Sequence, residues 1–334
     1  MHGLLPASTW LLAGDGLKNR GASKKLLLED ARKVLLSVLP LVTALVWGLG
    51  FVAQVKGAES IQPFFYNSIR NIIGAVALAP VVLLFDTNRD RPAAGCIKPA
   101  IACGIILFAA QSLQQIGLGL TASSAKGGFL TSIYAILVPF IEFFIYGRKI
   151  KKAIWISVIM SLIGLFLIFA GAGSVAEMLV VTKGDLTLLA NSLMYAIHII
   201  AIDRAIDRVR PLLFSILQVL VVAVLSTAAA FIFETPEIQV IRSAAFPILY
   251  CALVSTAIGY TLQVFSQKNP NVVLTSIMFS TEAMFASIGG MVLLKERLSA
   301  SAIAGCLLIF ASVIIAQIFS AGKAVRPSSE PSER

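Results

Sequence analysis

Four charged side chains fall inside long apolar runs: Arg70, Lys126, Glu142 and Glu282. A charge at bilayer depth costs at least ~2.5–3.5 kcal/mol on insertion scales, so each needs a partner or a water-lined cavity. Arg70 is central in its run, one turn after Asn67, and too deep to reach an interface by snorkelling. It reads as a contact for a carboxylate or phosphate, or as half of an ion pair with Glu142 or Glu282. Glu282 could accept a proton, bind an amine or pair with Arg70, so a coupling proton is a candidate partner. Lys126 lies in the serine- and glycine-rich stretch Ser123–Gly128, near the start of its run. Its ammonium either meets an anionic solute or snorkels to the interface. Glu142 has Arg148 and Lys149 within about two helical turns, which favours a local charge pair.

Polar side chains without charge form a second set. Tyr195 and His198 are three residues apart and share a helical face, with Asn191 a further turn back. Gln114 and Gln263 lie in similar surroundings in two parts of the chain, and Trp47, Tyr134, Gln218 and Tyr260 are further candidates to line a cavity. For any single one of these the alternative is an interhelical hydrogen bond. No HExxH, GxSxG, P-loop or GxGxxG occurs. Cys96, Cys103, Cys251 and Cys306 have no metal-ligand spacing, so neither a metal nor another cofactor is implied. One intramembrane histidine and no clustered acids argue against an integral-membrane enzyme. No filter-like loop or ring of charges argues for a channel.

The elements that carry these residues are set by composition. Of 334 residues, 58% are hydrophobic and 13% charged, against about 25% charged in a soluble domain. Lipid is therefore the expected solvent. Ten runs are long enough to span it: 34–55, 62–85, 97–118, 122–146, 153–173, 184–202, 211–233, 243–265, 270–294 and 300–320. Pro139, inside the fourth, is expected to kink it. Residues 1–33 and 321–334 read as disordered cytoplasmic tails. The net charge of +10 does not point to nucleic acid, because the basic residues cluster between apolar runs and form no helical stripe. With the amino terminus inside, the inside connections carry eleven Lys and Arg against five outside. The expected topology is a multi-pass protein of the inner (cytoplasmic) membrane with both termini cytoplasmic.

The chain also repeats itself. Leu130–Ile133 reads LTSI, as does Leu274–Ile277; Ser112-Leu113-Gln114 echoes Thr261-Leu262-Gln263; GLFLIFAG at Gly164–Gly171 echoes GCLLIFAS at Gly305–Ser312. The offsets are 144, 149 and 141 residues, in one order along the chain. The halves are 34–173 and 184–320, each with five spans. An odd number of spans per half turns the second half upside down. The expected fold is all-α and integral to the membrane, with about ten transmembrane helices in two inverted five-helix repeats and a site between them near the midplane.

The second module carries Glu282, then Lys295-Glu296-Arg297-Leu298-Ser299, then Gly305-Cys306-Leu307-Leu308-Ile309-Phe310-Ala311. With the doubled module, this resembles the EamA branch of the drug/metabolite transporter superfamily over about 34–320. The chain departs from the family pattern in two places: Ala283 rather than proline follows Glu282, and Arg148 replaces an acidic residue after the fourth helix. The resemblance implies ten helices, inverted halves and transport of small organic solutes, with efflux the implied direction. A solute with both an amino and a carboxylate group suits a site offering Arg70 or Lys126 with Glu282; an anionic-metabolite exchanger would lean on Arg70 and Lys126 together. Monomer and dimer both stay open.

Overall fold

In hydrocarbon every backbone N–H and C=O must find its partner within the protein, and an apolar run of about 20 residues does this by coiling into a helix. The structure, a computed structural model, describes residues 35, 38–86, 91–170, 181–268, 271–293, 295, 297 and 299–320. The tails expected at 1–33 and 321–334 lie outside the described residues, as do Arg89 and, within the turn 295–299, Glu296 and Leu298.

The described residues contain ten helices long and apolar enough to span a bilayer. In chain order they are α1 (Val38–Ala58), α2 (Pro63–Phe85), α3 (Ala94–Thr121), α4 (Ser124–Phe144), α5 (Lys152–Ala170), α6 (Lys183–Ala205), α7 (Pro211–Phe233), α8 (Ala245–Ser266), α9 (Val272–Leu293) and α10 (Ala300–Phe319). Local sequence sets several of their ends. Proline opens both α2 and α7, where its missing N–H is no loss. At α6 a capping box closes the first turn: Asp185 N–H donates to Thr182 Oγ1 at 3.2 Å, and Thr182 N–H donates to Asp185 Oδ2 at 3.0 Å.

The packing has the pattern of two inverted halves. Corresponding helices of the two halves lie against each other: α2 on α7, α4 on α9, α5 on α10. The remaining contacts come in matched pairs, with α3 against α6 and α1 against α8, where the Tyr250 hydroxyl donates to Val46 O. The sense of α4 against α9 is antiparallel. The first segment of α4 packs on the second segment of α9, and the second segment of α4 on the first of α9. The repeated glycines mark the α5–α10 crossing. A Cβ on Gly164 would sit 2.8 Å from Gly305 O, and one on Gly305 would collide with Gly164 O. The two helices touch backbone to backbone there, which only a residue without a side chain permits.

Both central helices are broken. α4 is interrupted at Ile133 and α9 at Ser280–Thr281. Pro139 lies inside the second segment of α4, and the break stands six residues upstream of it. The LTSI islands lie beside these breaks, Leu130–Ile133 running into the first and Leu274–Ile277 ending just before the second.

Candidate functional site

The break in α9 makes Glu282 the first residue of a new helical segment, Glu282–Leu293, in the middle of the bundle. A helix N-terminus carries partial positive charge and unpaired N–H groups, so a carboxylate there is less costly than elsewhere at that depth. α1 presses against this point. A Cβ on Gly48 would lie 2.6 Å from Glu282 O and 2.9 Å from Ala286 N, so the glycine lets α1 fix where the carboxylate stands. Ser132, at the break in α4, donates to Glu282 Oε1 at 3.2 Å. The two broken helices thus meet through their polar breaks.

Glu282 faces a central cavity. From the first half it is lined by Trp47, Phe51 and Gln54 of α1, Arg70 of α2, Gln114 of α3, and Thr131 and Tyr134 of α4. The second half contributes Tyr195 and Ile199 of α6, Ser255 and Tyr260 of α8, and Glu282. The space open to the centres of water-sized molecules is about 20 Å³, room for one or two waters. A larger solute therefore needs the helices to part.

Arg70 is 2% exposed and sits on the α2 wall of this cavity. Nη1 donates to Gln54 Oε1 at 3.2 Å, and the guanidinium lies 5.7 Å from the Tyr66 ring centroid. Nε and Nη2 have no hydrogen-bond partner among the described residues. No ion pair joins Arg70 to Glu282 or to Glu142 among the described residues, so neither of the structural pairings open in the sequence is made.

The other wall is aromatic. The Tyr195 and Tyr260 hydroxyls are 3.0 Å apart, and the Tyr195 hydroxyl also donates to Gln114 Oε1 at 3.2 Å. Trp47 Nε1 donates to Ser255 O at 3.2 Å, with its ring 5.3 Å from Tyr260 and 5.5 Å from Phe279. Tyr134 meets Tyr195 edge-on at 6.4 Å. A carboxylate beside electron-rich ring faces is a setting for an organic cation; a guanidinium with free N–H groups is one for a carboxylate.

Of the sequence candidates, Arg70, Glu282, Trp47, Tyr134, Tyr195, Tyr260 and Gln114 are brought together here. Lys126, Asn191, His198 and Gln263 are not. Lys126 Nζ is 2.7 Å from Asp185 Oδ1, joining the starts of α4 and α6. Asn191 donates to Ala110 O at 2.8 Å and accepts from the Thr131 hydroxyl at 2.9 Å. His198 Nε2 is 3.1 Å from Gln218 Oε1. Gln263 is fully buried outside the cavity. It was expected to mirror Gln114, but Tyr260 takes that place. The reason lies upstream in α8, where Tyr250–Gly259 is a π-helix. Ten residues of i→i+5 bonding change the angular step, so the residues beyond them meet the cavity in another register.

Gln54, Phe51, Thr131, Ile199 and Ser255 also line the cavity and were not singled out in the sequence. Gln54 had a signal: it follows Trp47 by seven residues and Phe51 by three, which puts the three on one helical face. Thr131 had one too, inside the LTSI island. Ser255 accepts from Trp47 through its backbone carbonyl, which no side-chain pattern reports.

Several charges at the two ends of the bundle are paired. At one end, the basic face, Glu142 holds Arg148 and Arg204, each at 3.1 Å, as the local-pair reading of Glu142 and Arg148 expected. Asp86 pairs with Arg210, and Arg91 donates to Val209 O at 2.9 Å. At the opposite face stands Lys126–Asp185, and Glu234 accepts from the N–H groups of Phe64 and Phe65 at 2.8 and 2.7 Å, capping α2. The mates α2 and α7 are thereby tied at both ends, and so are α4 and α6.

The profile of the EamA-like transporter family matches the chain twice, over residues 35–170 and 182–317. The chain belongs to that family. Two curated relatives have the same overall extent. A protein of Archaeoglobus fulgidus named as an uncharacterized transporter is 24% identical over 277 residues, covering 83% of this chain and 84% of its own. The uncharacterized transporter YoaV of Bacillus subtilis is 24% identical over 294 residues, covering 85% and 96%. A solved crystal structure superposes with a TM-score of 0.71 at 18% identity, covering 86% of this chain and 97% of that one, a likeness of fold. Family membership and these relatives make the protein a multi-pass membrane transporter of the EamA-like type.

Proposed function

We propose that the protein is a secondary transporter that moves a small organic metabolite bearing both an amine and a carboxylate, such as an amino acid, across the cytoplasmic membrane. The observation that carries this reading is the pair Arg70 and Glu282. They are opposite charges from opposite halves, they face one cavity, and no ion pair joins them among the described residues. In hydrocarbon such charges persist where they serve a ligand or ion pathway. The guanidinium takes the carboxylate, and Glu282 with the Trp47, Tyr134, Tyr195 and Tyr260 rings takes the ammonium.

Movement follows alternating access, with the half 34–173 rocking against the half 184–320 around the fixed site. The small size of the cavity, too narrow for a solute larger than water, is consistent with a narrowed step in that cycle. The basic face is the cytoplasmic one by the excess of Lys and Arg in its connections, which puts both termini inside. Efflux is the direction the family resemblance favours, and Glu282 is the group that would carry a coupling proton. The anionic-exchanger reading loses support, because Lys126 is engaged with Asp185 away from the cavity.

The test is flux in proteoliposomes loaded with single radiolabelled amino acids, organic acids or nucleosides, after a thermal-shift screen of the same panel. Amino-acid flux that Glu282→Gln removes from folded protein supports the reading. Undiminished flux in both Glu282→Gln and Arg70→Ala rejects these site roles, and flux of acids alone rejects the substrate class.

A further inference from the structure

Between the central cavity and the basic face runs a second set of buried polar groups. α2 and α7 both begin with proline, and seven residues on they carry Arg70 and Gln218 respectively. The two helices enter from opposite faces, so each polar group lies about 10 Å inside its own face at 1.5 Å per residue. Arg70 bonds Gln54 of α1; Gln218 bonds His198 of α6, the counterpart of α1 in the other half. The inverted repeat has thus produced two polar stations, one on each side of the midplane, of which only the Arg70 station opens on the cavity.

Tyr260 connects them. It lines the cavity on one side, and on the other its ring meets the His198 ring at 6.4 Å. Tyr260, Gln263 and Gln267 follow along one face of α8, and Gln267 Nε2 donates to Ile199 O of α6 at 2.6 Å. His198, Gln218, Gln263, Ser266 and Gln267 are all at most 1% exposed. Yet His198 Nδ1, Gln218 Nε2, both amide atoms of Gln263, Ser266 Oγ and Gln267 Oε1 have no hydrogen-bond partner among the described residues. Buried polar atoms without a protein partner are rare, and water or a ligand is the usual explanation. The groups named here are donors and acceptors of the amide, hydroxyl and imidazole kinds, with no carboxylate, ammonium or guanidinium among them.

Building on the transporter reading, we propose that this seam between α6, α7 and α8 is a second station on the solute's route. Water fills it at rest. The neutral hydrogen-bonding parts of the solute occupy it as the bundle opens toward the basic face.

Thiol labelling tests this without a solute. In protein whose four cysteines are replaced by alanine, single cysteines are placed at Gln218, Gln263 and Ser266. A small charged thiosulfonate is then applied from either side of sealed vesicles. Lys152→Cys, exposed on the basic face, marks the side, and Val224→Cys, exposed on the apolar outer surface of α7, is the dry control. The seam cysteines are expected to react about tenfold or more faster than Val224→Cys, because the reagent needs a wetted thiolate, and from the Lys152→Cys side. Rates equal to Val224→Cys, or labelling from the other side alone, overturn the proposal. Ser266→Cys, a near-isosteric change, keeps the test valid should the glutamine variants fail to fold. Absence of flux for every solute tested, with the seam labelled, counts against the transporter reading and leaves the wet seam standing.

Discussion

The charges in the cavity and the charges at the ends of the bundle obey different rules. Lys126, Glu142, Asp86 and Glu234 each hold a partner, and together they tie α4 to α6 and α2 to α7 at both faces. Arg70 and Glu282 lie deeper and are almost wholly buried, yet neither takes an opposite charge among the described residues. Pairing is what a static structure needs of a buried charge. Its omission at the centre leaves two buried charges without a counter-ion among the described residues, and the proposed solute site rests on that difference rather than on depth alone.

The sharpest way to break this comparison is to remove a central charge. Arg70→Met and Glu282→Gln should each lower flux tenfold or more, since losing a hydrogen bond to a charged group removes ~1.5–3 kcal/mol. The melting temperature of both should hold or rise, because a buried charge without a counter-ion is gone. A fall in melting temperature with flux intact would place them among the structural charges. Glu142→Gln should do the reverse. It strips two arginines of their partner, so the melting temperature drops while flux per folded molecule changes less than in Glu282→Gln.

A double-mutant cycle sharpens the contrast. Glu142→Gln with Arg204→Met should show coupling of ~0.5 kcal/mol or more in stability, as contacting residues do. Arg70→Met with Glu282→Gln should be additive within about 0.5 kcal/mol in the absence of solute. The smallest effect is expected for Lys126→Met, at ~0–1 kcal/mol of stability, because this pair stands partly exposed near one face. Flux there should stay near that of the parent protein.

How far the sequence revealed this architecture depended on the kind of signal. The ten spans and the inversion could be read because apolar length, an odd span count and repeated letters are properties of the chain itself; that the helices break beside the LTSI islands could not. Arg70 and Glu282 could be singled out because charge in an apolar run is conspicuous. Their lack of a mutual ion pair could not, since it depends on where α2 and α9 sit across the bundle. Lys126 looked like a site residue because its counter-ion, Asp185, is 59 positions away and was not weighed beside it. Gln263 looked like the twin of Gln114 because similar letters imply similar facing, and the π-helical stretch in α8 breaks that implication. The break in α4 stands at Ile133 and not at Pro139, so the proline marked the helix and not the residue.

Trp47 gives the protein an optical readout of its own working cycle. Its indole bridges α1 to the Ser255 carbonyl of α8 and packs, tilted, against Tyr260 and Phe279 at the heart of the bundle. With Trp10 and Trp155 changed to phenylalanine, the single remaining indole would report on that joint alone. Separation of α1 from α8 breaks the N–H bond and wets the ring, so its emission should shift to the red whenever the interior opens.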